Sequence, residues 1–473
     1  MTTAAVTVRR RPARFRRVSL TAAGRLLRLE LRRNVTPGLL LPLAALCWFA
    51  GPYRVPMEYG PFWEQRALVM LDHFAPLLGF AAGAAAWMGS REGRRRITDQ
   101  VLATPRPGWA RRLATLAATA SWLLLGYLGL VAALYGVTAT QATWGGPAWW
   151  PVAVGAAALA AACSIGFAFG VLIPSRFTPP LVVIGAFFLS LIGVSHDTNP
   201  YAQLSGTTGV PPADIGVFYR YPPDLAIVQV MFLGGLAVAA LGVLGLPAAS
   251  ARRRLRPAAA LVTAVGLAAA GTAAGLAGTA VSGANGLVIP ALHDAAAEGP
   301  IPYAPVCSGA AIPVCVHPAF RPYQASVSAA LDPVLDELAG LPGAPVRAVQ
   351  LATSELNGTN WGADIHGTPP VLRFSLSQTS SSVIDGLQDN LVVTFVAGSN
   401  ADGNGGTPAQ QAVEAALLTA AGGHPASGLP QLGPAVSAAA TRLRALPAAQ
   451  RHAWLAAHLP ALRAGHLTPA QIP

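Results

Sequence analysis

Long apolar runs, almost free of charge, fill residues 35–282, and no other feature restricts the possible folds of this chain so strongly. A helix needs about 20 such residues to cross the roughly 30 Å hydrocarbon core of a bilayer. Stretches near 36–52, 67–89, 113–137, 149–173, 178–195, 225–247 and 258–281 approach or reach that length. Lipid offers no partner to a backbone N–H or C=O, so isolated runs of this kind must become helices. Only 11% of residues are charged, against about 25% in soluble domains, and the shortfall is concentrated in the same region. The expected fold class is an α-helical membrane protein. Residues 1–34 form a basic tail, 35–282 a bundle of about seven helices, and 283–473 a C-terminal α+β domain large enough to fold alone.

The net charge is +12, and Arg supplies all of the basic residues, with no Lys. A Walker A loop needs Lys to reach the β- and γ-phosphates, so this chain is not expected to hold ATP in that way. Strong basicity also suits nucleic-acid binding, but here the arginines flank apolar spans, which favours topology and argues against a nucleic-acid partner. Ten Arg lie in residues 1–34, seven in 90–112, one at Arg176 and four in 252–256. The alternate loops, 53–66, 138–148 and 196–224, hold only Arg54, Arg66 and Arg220. By the positive-inside rule the N-terminus is cytoplasmic, and seven spans then send the C-terminal domain outside. A multi-pass cell-membrane protein with an extracytoplasmic domain is expected, and no cleavable signal peptide is evident. Trp144, Trp149 and Trp150 fall where an outer aromatic belt would lie.

Residues 18–34 read as an amphipathic helix, with Leu20, Ala23, Leu27 and Leu31 on one face and Arg25, Arg28 and Arg32 beside it. Such a helix lies in the interface between acyl chains and head groups. The loop from Arg91 to Pro107 is too polar for lipid. Its Ile97, Val101 and Leu102 make a small apolar face at helical spacing, Thr104-Pro105 ends the helix, and Glu92, Arg94, Arg95 and Thr98 supply polar flanks. A short helix held at the membrane surface in this way suits a groove on a cytoplasmic partner.

A basic amphipathic helix, two spans, an Arg/Glu-rich loop leading into Leu102-Ala-Thr-Pro105 and four further spans resemble the permease subunit of type-2 ATP-binding-cassette exporters. The resemblance covers roughly residues 18–247. It implies a six-span bundle, a coupling helix after the second span that docks on a separate ATPase subunit, and a second permease half, identical or different. ATP and Mg would then be bound by the partner ATPase, with no cofactor and no bond chemistry on this chain. It also implies an extracellular, often partly re-entrant segment between the fifth and sixth spans, where residues 196–224 lie. After residue 247 the chain departs from that pattern with a seventh span and the C-terminal domain. A membrane-anchored extracytoplasmic enzyme or sensor on a permease-like platform is the alternative, and a non-transporting scaffold for envelope proteins is a further one.

Several residues invite chemical readings. Cys47 and Cys163 lie in apolar spans and read as packing residues. Cys307 and Cys315 lie in the C-terminal domain, where an oxidising compartment favours a disulfide. A metal site with His317 as third ligand is the sharper reading, but zinc sites have tighter Cys spacing and a fourth ligand. No nucleophile elbow or His-Glu-x-x-His motif supports a catalytic His317. Asp402 and Asn404 resemble a calcium loop but lack its terminal acid. No catalytic or metal site is therefore expected. Asp72 and His73, near the outer end of the second span, are either a hydrated structural pair or part of a pathway. Gly79/Gly83, Gly166/Gly170 and Gly271/Gly275 have the spacing that lets helices approach closely. In the C-terminal domain, residues 319–340 predict a helix and 345–353, 370–377 and 390–397 predict strands. Residues 398–408 predict a loop, and 409–463 predict helices broken at Gly and Pro.

Overall fold

The computed structural model describes residues 20–51, 53–95, 108–195, 199–206, 212–249, 256–283, 286–296, 298–356, 363–398, 406–422 and 433–473. The molecule is mostly helical. α1 (Leu20–Arg33) runs into α2 (Thr36–Ala50), and the short α3 (Arg54–Glu58) leads to α4 (Trp63–Asp72) and α5 (Ala75–Gly89). α6 (Arg91–Arg94) follows, then α7 (Gly108–Gln141), α8 (Trp149–Leu172), α9 (Thr178–Ser195), the short α10 (Pro200–Gln203), α11 (Asp224–Ala249) and α12 (Arg256–Ala277). By length and composition, α7, α8, α11 and α12 can each cross a membrane, and α4 with α5 can together form a fifth crossing. α2 and α9 are shorter apolar helices.

The pair α4 and α5 was expected as one span starting at residue 67. It starts at Trp63 and bends by 51° at its break. Pro76 explains the break: its ring excludes the carbonyl four residues back, that of Asp72, and it has no N–H to donate. The earlier start, at Trp63, takes Arg66 out of the loop where sequence counting put it and into α4, where it is 3% exposed.

Helices in lipid have no hydrophobic drive to associate and rely on close backbone approach. α5 and α8 cross at Gly166 and Gly170, where an added Cβ would lie 2.2 Å from the Ala82 and Ala86 carbonyl oxygens respectively. Gly79 and Gly83 make the same kind of room for α9, with Val183 as the neighbour. α11 and α12 meet through Gly235 and Gly266. Gly271 and Gly275 have open space where a Cβ would be, so their spacing makes no close helix contact among the described residues.

The C-terminal domain begins with a hairpin of β1 (Val281–Gly283) and β2 (Gly286–Val288). A five-stranded mixed sheet follows, built from β3 (Val306–Cys307), β4 (Val314–Val316), β5 (Ala348–Gln350), β6 (Ala363–His366) and β7 (Val371–Phe374) in the order β3-β4-β5-β7-β6. β4, β5 and β7 run parallel, and each edge strand is antiparallel to its neighbour. α13 (Gln324–Leu338), α14 (Ser381–Ala397), α15 (Pro408–Ala420), α16 (Pro434–Ala445) and α17 (Ala448–Arg463) complete the domain. The predicted strand over 390–397 is the second half of α14. Its Leu391, Val392, Phe395 and Val396 are all fully buried in one core, and that burial overrides the β preference of a Val-rich run.

That core is shared. Phe62, Ala213, Val217 and Phe218, from the connections before α4 and α11, are buried in the same cluster as α13–α17. Ala213 N–H donates to the Ser377 carbonyl, Ile301 N–H to the Phe218 carbonyl, and Thr143 Oγ1 to the Pro318 carbonyl. The segment expected to be re-entrant thus packs, over 212–219, into the C-terminal domain. Cys307 and Cys315 form a disulfide that pairs β3 with β4.

Gly166→Val should lower the melting temperature of the purified protein, because a backbone oxygen cannot yield, with a cost of about 1–3 kcal/mol. Gly275→Val should leave it unchanged in a monomeric preparation. A neutral Gly166→Val would refute the close crossing. Replacing both Cys307 and Cys315 with Ser should cost about 2–3 kcal/mol by loop entropy for this separation, read as a stability loss that reducing agent reproduces in the parent protein.

Candidate functional site

The best-defined polar assembly lies where α1, α5, α6 and α7 converge at the arginine-rich end of the bundle. Glu30 of α1 accepts from Arg91 Nη2 at 3.1 Å. Glu92 accepts from Arg111 Nε at 2.7 Å and from Nη2 at 3.2 Å, a two-pronged pair joining α6 to α7. All four side chains are at most 23% exposed, so solvent screens them less than an open surface pair. Arg94 stacks over Trp87 at 3.7 Å and donates to its carbonyl. Gly93 leaves room for Pro174, in the turn between α8 and α9. Three helices and one turn therefore grip the single helical turn of α6. A cavity of about 560 Å³ opens among Glu30, Arg33, Trp87, Arg91, Glu92 and Arg95.

Of the loop residues singled out by sequence, Glu92, Arg94 and Arg95 belong to this assembly. Ile97, Thr98, Val101, Leu102 and Thr104 lie outside the described residues. Leu27 and Leu31 of α1 are half-buried and Arg28 and Arg32 exposed. Trp122 Nε1 of α7 donates to the Leu31 carbonyl, and Asn34 Nδ2 donates to Thr119 Oγ1, so the C-terminal end of α1 is held to α7.

A second feature is an apolar groove of about 580 Å³ between α2, α5, α7 and α8, lined by Leu40, Leu43, Phe74, Leu77, Leu123 and Leu130 among others. Its polar atoms are few. Tyr127 is satisfied by donating to the Val152 carbonyl at 3.0 Å, and Cys47 is a buried free thiol, as is Cys163 elsewhere in the bundle. Asp72 and His73 sit at the break between α4 and α5, with Asp72 Oδ2 3.7 Å from His73 Nδ1. His73 Nδ1 lies 3.0 Å from the Val69 carbonyl. Neither residue lines the groove.

His317, the candidate ligand or base, is fully buried where the C-terminal domain meets the bundle. Trp144, Phe218 and Tyr303 surround its ring with centroids 5.0, 4.9 and 4.2 Å away. Trp144 is thus part of this junction, whereas Trp149 and Trp150 are exposed. Nδ1 accepts from Ala319 N–H at 3.1 Å, and Nε2 has no hydrogen-bond partner among the described residues. No group of His, Cys, Asp or Glu among the described residues has metal-binding geometry, and Asp402 and Asn404 lie outside them. Burial pushes His317 down to about 4. Glu414 of α15 is also fully buried, and burial together with the nearby Asp389 pushes it up to about 7.

Sequence reasoning missed two buried polar groups. Arg66 donates to Thr138 Oγ1 and to the Tyr59 carbonyl, both at 3.1 Å. Asp224, at the start of α11, lies 3.2 Å from His293 Nδ1, and His293 Nε2 lies 3.3 Å from Glu298, which fastens the β1–β2 region to the bundle. The visible signal for each was an ionisable residue at the edge of an apolar run. Comparison with protein-family models, curated proteins and solved structures gives no match to this chain.

The His317 environment has a pH signature. A histidine held neutral below its ordinary 6.5 stabilises the fold fully above pH 6.5 and loses that contribution as pH falls to about 4. His317→Asn keeps an acceptor for Ala319 N–H but cannot titrate. It should reduce the loss of thermal stability between pH 6.5 and 4 by up to about 3 kcal/mol. Identical pH profiles for parent and variant would refute the assignment.

Proposed function

We propose that the chain is the membrane-spanning permease subunit of an ATP-binding-cassette exporter. α2, the α4–α5 pair, α7, α8, α9 and α11 make the six-span bundle, and α12 is the added seventh span. The arginine-rich end faces the cytoplasm and the C-terminal domain is extracytoplasmic. A separate ATPase binds ATP and Mg and docks on residues 91–107, and a second permease half completes the pathway.

One observation carries this reading: the turn of helix after the broken span is cross-braced to α1 through Glu30–Arg91 and to α7 through Glu92–Arg111. A partner that pushes on the loop displaces α5 and α7 together, because both ion pairs and the Gly93–Pro174 contact resist independent movement. A topology-setting basic loop needs no such bracing. The break between α4 and α5 supplies a place for the span to flex, and the adjoining apolar groove suits a hydrophobic or amphipathic cargo.

The full-length chain isolated from its native membrane should bring down an ATP-binding-cassette ATPase. The double variant Ile97→Asp, Val101→Asp should insert normally yet lose that subunit. Glu92→Arg should weaken the association, and combining it with Arg111→Glu should restore it. Purification with no such ATPase, or undiminished association in the Ile97/Val101 variant, would overturn the reading.

A further inference from the structure

A smaller cleft lies between the start of α7 and the paired ends of α11 and α12. Its volume is about 320 Å³, and its lining includes Trp109, Arg112, Leu241, Leu244, Ala258 and Val262. Its floor is the contact between α11 and α12, where an added Cβ on Gly242 would lie 2.4 Å from the Thr263 nitrogen and one on Gly245 would lie 2.9 Å from Ala259 Cβ. The two glycines let α11 and α12 approach closely there. Among the described residues that line it, Arg112 is the single charged group and none is a carboxylate.

Arg111 and Arg112 are neighbours with different fates. Arg111 is spent on Glu92. Arg112 Nη1 is buried and has no hydrogen-bond partner among the described residues. An unmatched buried donor on a cation is costly, and a guanidinium is shaped to take two oxygens of a phosphate. The remaining walls are hydrocarbon, which gives a free anion nothing in exchange for its hydration. A molecule that satisfies both surfaces has an anionic head and an acyl chain. Trp109 at the mouth is 40% exposed, as suits a ring at the head-group level. Basic clefts between spans on this kind of membrane face hold anionic head groups.

We propose that this cleft binds one anionic phospholipid, its phosphate on Arg112 and an acyl chain along Leu241, Leu244 and Val262. The site requires that the helices lie in a bilayer, and it is independent of whether the chain transports anything. The bound lipid wedges α7 against the α11–α12 pair and joins the seventh span to the rest of the bundle through a non-protein contact.

The test uses the full-length chain in a neutral detergent. Phosphatidylglycerol should raise its melting temperature and remain bound, one per chain, in native mass spectrometry, whereas phosphatidylcholine and glycerol phosphate should do neither. Arg112→Gln should reduce retained phosphatidylglycerol about fivefold or more, while Arg176→Gln, at an exposed turn, should retain it fully. Ala258→Phe fills the cleft without changing charge and should also abolish retention, which keeps the test decisive if Arg112→Gln misfolds. Retention at the parent level in the Ala258→Phe variant would overturn the proposal, as would an equal shift from glycerol phosphate or from phosphatidylcholine.

Discussion

Hydrocarbon gives a peptide group nothing to bond with and gives an apolar side chain no reason to prefer protein over lipid. The first condition makes the apolar half of this chain, residues 35–282, largely helical. The second leaves packing to contacts that lipid cannot imitate: backbone against backbone at Gly166 and Gly170, and charge against charge at the margins. The glycine crossings set how α5, α8 and α9 lie. The ion pairs at one end tie α1 and α7 to the turn that follows α5, and the shared core at the other end holds the connections before α4 and α11.

The two ends are fixed by different physics. At the arginine-rich end, half-buried carboxylates on α1 and α6 neutralise two guanidinium groups, in a setting where isolated arginines would suffice for topology. At the other end the restraint is burial, with Phe62 packed 4.6 Å from Phe320 and His317 enclosed by rings from three separate segments. The electrostatic end can be loosened by a competing charge or by salt. The buried end resists both.

Much of the architecture was legible in the sequence, because charge-free runs and arginine clusters report directly on solvation. The amphipathic α1, the tight turn between α8 and α9, the disulfide and α13 all follow from local signals. Other features depend on tertiary contact and left no such trace. The strand reading of 390–397 failed because Val and Phe fit a pleated surface and a buried helix face equally well. The bend at His73 needed Pro76 to be read as a break within a span. Arg66 was assigned to a loop because a guanidinium next to an apolar run usually marks its end. Glu92 was visible as part of a polar loop, but its partner Arg111 and the role of Glu30 in holding Arg91 were not, since no periodicity links residues 61 positions apart.

The shared core also bears on how the chain is assembled. Phe62, Ala213, Val217 and Phe218 precede α13–α17 by a long stretch of chain, yet they complete the interior of the domain those helices build. Helices α13–α17 can close their core only around connections that belong to the helical bundle. Withdrawing any one of these plugs would leave an apolar hole in that core. The C-terminal domain therefore completes its interior only when connections belonging to the helical bundle are in place.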